Sequence, residues 1–372
     1  MNKLRVAVIG AGRLGGFHAQ KLAALEHVEL AGVTDPLESQ RNRVAAECHT
    51  VSFADHRQLL DRVDAVVIAA PTRLHHALGV EFLGRGIHVL MEKPLAATAA
   101  QADELVELAR KKQLVLQVGH VERFNPALIA ALPHVRTPKY IEAVRASGFT
   151  FRSTDVGVVL DLMIHDLDVV LSLVRSPVRK VDALGLSVLG GQEDVANVRL
   201  EFQCGCVAAL SASRVSYEAA RRMQVWSPRA YASIDFATRK TTLIHPSETL
   251  LSRQFDVDSL APEQVEHYKE HLLEEHLARE EIESAAVDAL SLELQDFVES
   301  ILLPRQPRVN GQQGRDAVAL SELILEKIRS HAWDDAADGP KGPLAAPRPS
   351  IIPAPHWHLA PSYSPAQRKE AG

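Results

Sequence analysis

Cysteine is scarce: the 372-residue chain has three, Cys48, Cys204 and Cys206. An odd, small number in a long chain excludes a disulfide framework and reads as reduced thiols of a cytoplasmic protein. Cys204-Gly205-Cys206 is expected to set two thiols on one face of a strand as small fillers. No metal is expected, because no further Cys or His pair has ligand spacing. Long apolar runs are also missing, so no segment reads as a membrane span. Residues 1–9 enter a strand directly, without a signal-peptide pattern. No block of lysine or arginine stands out, and 41 basic against 47 acidic residues leave a formal charge of −6. That balance argues against nucleic acid and anionic membranes as partners. With 46% hydrophobic and 24% charged residues, the composition is that of an ordinary globular chain long enough for two cores.

The most informative stretch is Leu4 to Gly16, LRVAVIGAGRLGG. Leu4–Ile9 is branched and apolar with little alternation, as suits a strand buried on both faces of a parallel sheet. Gly10-Ala11-Gly12-Arg13-Leu14-Gly15 fits G-x-G-x-x-G, and a helix is expected from Phe17 to Leu25. The first glycine permits a tight turn. The second leaves room for a pyrophosphate, and the third lets helix and strand pack closely, so that free N–H groups face the phosphates. A second apolar strand, Val28 to Thr34, ends in Asp35, where a ribose-binding carboxylate belongs. A bare strand–turn–helix crossover is the weaker alternative, because all parts of the fingerprint are present.

Apolar strands and helical runs then alternate to about residue 120, which predicts a doubly wound parallel sheet. Ligands of such sheets lie beyond the carboxyl ends of the strands. Gly10–Gly15, Asp35, Pro71–His76, Glu92–Pro94 and Gly119–Asn125 all fall at that rim. Thr72, His75, Glu92 and Lys93 therefore join Gly10, Gly12, Arg13, Leu14, Gly15 and Asp35 as candidate cofactor contacts. From Tyr140 to His245 seven strands follow, with no long helix between them after the one run at Asp155–Val174. The fold class is thus α/β, a Rossmann sheet followed by an α+β domain with a mostly antiparallel open sheet. Pro262–Ile282 is charged and helix-prone, and helices at Asp288–Leu302 and Gly314–Arg329 close the fold. The expected domains are residues 1–122, 123–333 and a Pro/Ala-rich disordered tail, 334–372.

A long apolar helix is expected from Asp155 to Val174, capped by Thr154 or Asp155. Asp161, His165 and Asp168 stand out on it, at i, i+4 and i+7, on one stripe. Buried carboxylates and imidazoles are costly unless paired or serving a site. Taken alone, the stripe leaves an internal Asp–His hydrogen bond open as well. Lys93 follows a strand at the rim, between Glu92 and Pro94, and a cis Lys93–Pro94 bond is one option there.

Together the G-x-G-x-x-G turn, AAPTRLHH, HVLMEKPLA and DLMIHDLD resemble the Gfo/Idh/MocA oxidoreductases, the group of glucose–fructose oxidoreductase and inositol dehydrogenase. The likeness runs from residue 1 to about 330. It implies a sugar or polyol hydroxyl oxidised with NAD, favoured over NADP because the Asp35 charge repels a 2′-phosphate; Arg41 and Arg43 lie close by in sequence. It also implies His165 as base, Lys93 as the donor to the reacting oxygen and Asp161 as orienting group. GHVERFNPA and TDVGVVLDLMIHDLD resemble a branch acting on the 3-hydroxyl of UDP-N-acetylglucosamine. Arg123, Asn125 and Arg152, with Asp161 and His165, are then the candidate substrate contacts, the arginines for diphosphate oxygens. The family likeness implies a homodimer or homotetramer. Another polyol or carbonyl substrate, and a sensor that binds without turnover, stay open.

Overall fold

The computed structural model describes residues 3–151, 156–283, 287–333 and 338–345. Six strands form the first layer: β1 (Leu4–Ile9), β2 (Val28–Thr34), β3 (Ser52–Phe53), β4 (Ala65–Ile68), β5 (His88–Glu92) and β6 (Leu116–Gly119). All pair in parallel, in the order β3-β2-β1-β4-β5-β6. Val6, Ala7, Val8, Val66, Val67, Val89 and Leu90 are fully buried, which is why these strands read as unbroken apolar runs. Helices α1 (Arg13–Ala23), α2 (Glu38–Glu47), α3 (Thr72–Gly84) and α4 (Ala99–Lys112) lie along the crossovers. The strand order reverses direction at β1, between β2 and β4, and the crevice beyond their carboxyl ends is where such folds bind ligand.

Helix α1 begins at Arg13 rather than Phe17. Gly15 makes this early start possible: a Cβ on it would fall 1.8 Å from the Gly10 carbonyl oxygen. Gly10 has φ +98°, and a Cβ there would meet the Ala69 carbonyl oxygen at 2.6 Å. Turn, helix and neighbouring strand are therefore in backbone contact.

The second layer is an eight-stranded mixed sheet. It comprises β7 (Tyr140–Ala146), β8 (Val178–Leu186), β9 (Val195–Phe202), β10 (Val207–Ser213), β11 (Ala220–Ser227), β12 (Ala230–Asp235), β13 (Lys240–Pro246) and β14 (Leu277–Glu283). The order is β14-β13-β12-β11-β7-β10-β9-β8, antiparallel except where β7 meets β10. Alternation is clear along β7, which buries Ile141, Ala143 and Arg145 and exposes Tyr140, Glu142 and Val144. Against the buried face pack α5 (Pro126–Ala131), a π turn (Val159–Met163) and its continuation α6 (Ile164–Val174).

Three expectations are corrected here. The helix expected from Asp155 starts later, as the π turn at Val159, because Gly157 sits against Glu193 and the Glu193 Oε1 accepts the Val159 N–H at 3.2 Å. The proposed caps Thr154 and Asp155 lie outside the described residues. The charged stretch Pro262–Ile282 is not one helix. After the short α7 (Glu248–Leu251), α8 (Pro262–His276) gives way to β14, an edge strand whose charges pair across to β13 (Lys240 with Glu283, His245 with Glu280). Charge on an edge strand discourages further strand addition. Finally, the two thiols do not share a strand face: Cys204 is exposed in the β9–β10 turn and Cys206 is buried.

The chain ends by returning to the first layer. From α9 (Ala289–Leu302), Leu294, Phe297 and Val298 enter the core around Val6 and Val8. From α10 (Gly311–Ser330), Ala317 and Val318 join the first sheet's core, while Leu320, Ile324 and Ile328 join that of the second. The two sheets are thereby held by one continuous helix. Among the described residues no helix is long and apolar enough to cross a membrane.

Candidate active site

The carboxyl edge of the first sheet carries a cradle with the chemistry of a dinucleotide site. A Cβ on Gly12 would meet only the Gln40 amide oxygen, at 3.9 Å, so the space over the turn is open. Helix α1 has neither a side-chain cap nor an acidic residue in its first turn, leaving its N–H groups and positive dipole end available to phosphate. Arg13 and Leu14 are exposed there. Asp35, at the end of β2, accepts the Ala11 N–H and the Leu37 N–H, each at 2.8 Å; each oxygen keeps a second lone pair for a ribose hydroxyl. Arg41 is held by the carbonyls of Asp35 and Pro36, and Arg43 pairs with Glu47. These residues fit NAD.

Further along the rim, Thr72 opens α3. His75 is buried, with Nδ1 and Nε2 each 2.8 Å from a carbonyl oxygen, of Pro94 and Ala70 respectively. It ties the loop after β4 to the loop after β5. The Lys93–Pro94 bond is cis. Lys93 Nζ donates to the Asp161 carbonyl at 2.6 Å and to Asp161 Oδ1 at 3.2 Å. This contact, 68 residues apart in sequence, joins the cofactor rim of the first layer to the π turn of the second. His165, four residues on from Asp161, is near enough to Lys93 to feel its charge. Burial, then Lys93, Arg145, His120 and Arg221, hold its imidazole well below the ordinary histidine range. It is therefore a neutral base at neutral pH.

The three residues expected on one stripe each meet a different partner. Asp161 meets Lys93, His165 meets His120 edge-on at 6.2 Å between ring centroids, and Asp168 faces Arg123 at 3.4 Å. Asp161 lies in the π turn, whereas His165 and Asp168 lie in α6. Arg123 also reaches the Arg308 carbonyl and lines a cleft that Lys93 and His165 do not line. Asn125 is used within the chain: Oδ1 caps α5 through the Ala127 N–H, and Nδ2 donates to Glu122 and to the Phe236 carbonyl. Its amide thus serves the fold. Arg152 lies outside the described residues.

Four residues near the site left no local mark. His18 is fully buried on α1 with Nε2 2.7 Å from Glu92 Oε1. Burial works to raise the Glu92 carboxyl, but His18 and Lys93 outweigh it and hold the group below its usual range. His120 is buried, and neither of its ring nitrogens has a partner among the described residues. Arg145 is buried between Asp166 and Glu122. Glu293, on α9, is fully buried with both carboxyl oxygens unpartnered among the described residues. Burial and the nearby Glu92 charge push its carboxyl well up. One of two neighbouring carboxyls is thus ionised and the other neutral.

That has a consequence for stability. A carboxyl raised in the fold opposes folding at every pH above its ordinary range, by about 1.4 kcal/mol per pH unit of separation. Glu293→Gln is expected to raise the melting temperature at pH 7. The gain is expected to vanish near pH 4, where the unfolded chain is itself protonated; melting curves at both pH values check this.

A dinucleotide cradle with a lysine at its rim, held by a carboxylate of the second layer, has the make-up of a nucleotide-dependent oxidoreductase. Residues 4–120 match the oxidoreductase family with an NAD-binding Rossmann fold, and residues 133–232 match the GFO/IDH/MocA C-terminal domain. The chain is 35% identical over 331 residues to the UDP-N-acetylglucosamine 3-dehydrogenase of Acidithiobacillus ferrooxidans, covering 89% of this chain and 99% of that protein. A solved structure of that enzyme superposes with a TM-score of 0.77 at 34% identity, covering 88% of this chain and 98% of that one. The myo-inositol 2-dehydrogenase of Thermotoga maritima is 26% identical over 358 residues, covering 88% and 98%. The chain belongs to the Gfo/Idh/MocA family and is an NAD-binding oxidoreductase.

Proposed function

We propose that the protein oxidises a hydroxyl of a nucleotide-linked sugar, the 3-hydroxyl of UDP-N-acetylglucosamine, with NAD. The observation that carries this reading is the Lys93–Asp161 contact, which joins the strand-end rim of the first sheet to the element that carries His165. The 35% likeness to the Acidithiobacillus enzyme over nearly its whole length supplies the substrate. Residues 1–122 hold the cofactor, through Gly10, Gly12, Arg13, Leu14, Gly15, Asp35, Thr72, Glu92 and Lys93, with His75 fixing the loops. Residues 123–333 bring the base to it. Bound NAD supplies a hydride acceptor. His165 accepts the hydroxyl proton, Lys93 donates a hydrogen bond to the oxygen as it takes on alkoxide character, and Asp161 orients Lys93. We place the enzyme in the cytoplasm as a homodimer or homotetramer joined through the outer face of the eight-stranded sheet.

The test is NADH production across a panel of UDP-sugars, free sugars and inositols. UDP-N-acetylglucosamine is expected to give the highest kcat/KM. Preference for an inositol would move the assignment to a polyol dehydrogenase, and no reduction of NAD with any compound would favour a sensor. The same assay addresses cofactor choice. The Asp35 carboxylate repels a 2′-phosphate, whereas the Arg41 guanidinium beside it attracts one. Asp35→Ser is expected to cut the preference for NAD over NADP by about tenfold or more, an effect of about 1.4 kcal/mol, in paired kcat/KM measurements.

A further inference from the structure

His165 is poorly placed to keep the proton it takes. Its Nδ1 is buried and has no partner among the described residues, so no carboxylate or carbonyl steadies the imidazolium from behind. The charges facing it are Lys93, Arg145 and Arg221, together with the His120 ring. The ring set edge-on to it, His120, is held below the ordinary histidine range first by burial and then by Lys93 and Arg123, but unlike His165 it also feels carboxylates, Asp168 and Glu92, that act in the other direction. His120 is 1% exposed, and neither of its ring nitrogens has a partner among the described residues. Asp168 is 2% exposed; its Oδ1 lies 3.4 Å from Arg123, and its Oδ2 is also unpartnered among the described residues. Buried polar atoms of this kind are met by ordered water. Asp168 and Arg123 also line a cleft of about 550 Å³, together with Leu171, Ser172, Gln313 and Asp316.

We propose that His120 and Asp168 form a proton exit from His165 to this cleft, behind the substrate site. The inference rests on the dehydrogenase reading above. In each turnover the alcohol C–H bond gives its electron pair as hydride to the nicotinamide, and the O–H proton goes to His165. The His165 Nδ1 proton then passes to His120, directly or through one water, and on to the Asp168 carboxylate. Arg123 keeps that carboxylate at the cleft, where solvent takes the proton. Atoms and charge balance: alcohol and NAD become ketone, NADH and one proton. His120 and Asp168 act through His165 and are positioning residues rather than catalytic ones.

The experiment compares wild type, His120→Phe and Asp168→Asn in stopped-flow and steady-state NADH formation, in H2O and D2O, with NADH titration and melting curves as checks on folding. His120→Phe keeps ring volume and burial. A first turnover near the wild-type rate is expected, because His165 can take one proton. Later turnovers are expected to slow by about tenfold or more, within the usual range for losing one proton-transfer step. The solvent isotope effect on kcat should rise, and added imidazole should restore part of the rate. Asp168→Asn is expected to do the same more weakly, and it alone decides the matter if His120→Phe does not fold. A steady-state kcat within twofold of wild type with an unchanged solvent isotope effect, in the variants that fold, overturns the exit route while leaving the dehydrogenase standing. A wild-type chain that reduces NAD with no sugar overturns the dehydrogenase and the route together.

Discussion

Lys93→Ala is expected to lower kcat for sugar oxidation by about a thousandfold, while NADH affinity measured by fluorescence titration stays within about threefold. The lost factor corresponds to about 4 kcal/mol of transition-state stabilisation. The reason lies in what Lys93 touches. Its side chain is 18% exposed and its ammonium is held by the carbonyl and the carboxylate of Asp161, so it is preorganised rather than waving in solvent. Negative charge develops on the reacting oxygen only as the hydride leaves. A fixed ammonium therefore acts on the transition state more than on the bound alcohol. On the proposed reading the pyrophosphate and ribose contacts come from the glycine turn and Asp35, which the substitution does not reach. Lys93→Arg is not expected to rescue activity, because a planar fork cannot reproduce one compact charge at the same point. Removing Lys93 also removes one of the cations that depress the His165 imidazole, so any residual activity should fall off at a higher pH on the acid side than wild type. Near-normal turnover would sink the assignment.

Much of this site left a local trace in the chain. The glycine turn is legible because its requirements are steric and fall within six residues: positive φ at Gly10, open space at Gly12 and backbone contact at Gly15. Asp35 and Lys93 are legible because a strand end in a parallel sheet points at the crevice. What stayed hidden depends on long-range approach. His18 meets Glu92 across 74 residues, and the buried Gln117 amide meets the Glu293 carbonyl across 176. No window of sequence marks His18 or Glu293 as anything but a helix residue. The spacing of Asp161, His165 and Asp168 was visible, but its geometry was not. The 3.6-residue period assumes an α-helix throughout, and the π turn breaks it. Asn125 illustrates a related ambiguity: an Asn before Pro126 at a helix start is equally a cap, and here its side chain caps α5. The charged strand β14 escaped because Glu and Arg favour helix locally, and only its pairing with β13 overrides that preference.

Arg145→Ala is expected to cost about 3–5 kcal/mol of stability at pH 7, the range for breaking one side of a buried ionic cluster. The guanidinium donates to both oxygens of Asp166, at 2.9 and 2.8 Å, and to Glu122 at 2.8 Å, all of them buried. It also lies 5.7 Å from the centre of the Phe236 ring. Burial opposes its charge, but Asp166 and Glu122 more than offset that and hold it protonated. Without it, two buried carboxylates remain, of which Glu122 keeps the Asn125 amide as a donor. Burial already holds the Asp166 carboxyl above its ordinary range and Arg145 works against that, so losing the guanidinium enlarges a penalty that is present above the ordinary carboxylate range and relieved as pH falls and the group takes up a proton. The deficit of the variant, read from denaturant unfolding, is thus expected to be largest near pH 7 and to shrink toward pH 5. Double replacement with Asp166→Asn should recover part of it, since the leftover charge rather than the missing contact is the main cost. A second readout separates this from simple unfolding. Arg145 stands among the groups that depress His165, with Lys93, His120 and Arg221. In the folded fraction its loss should therefore move the acid limb of kcat/KM to higher pH, toward the ordinary histidine range. A variant as stable as wild type, with its acid limb unmoved, would mean that this buried cluster neither holds the second sheet to α6 nor sets the charge state of the base.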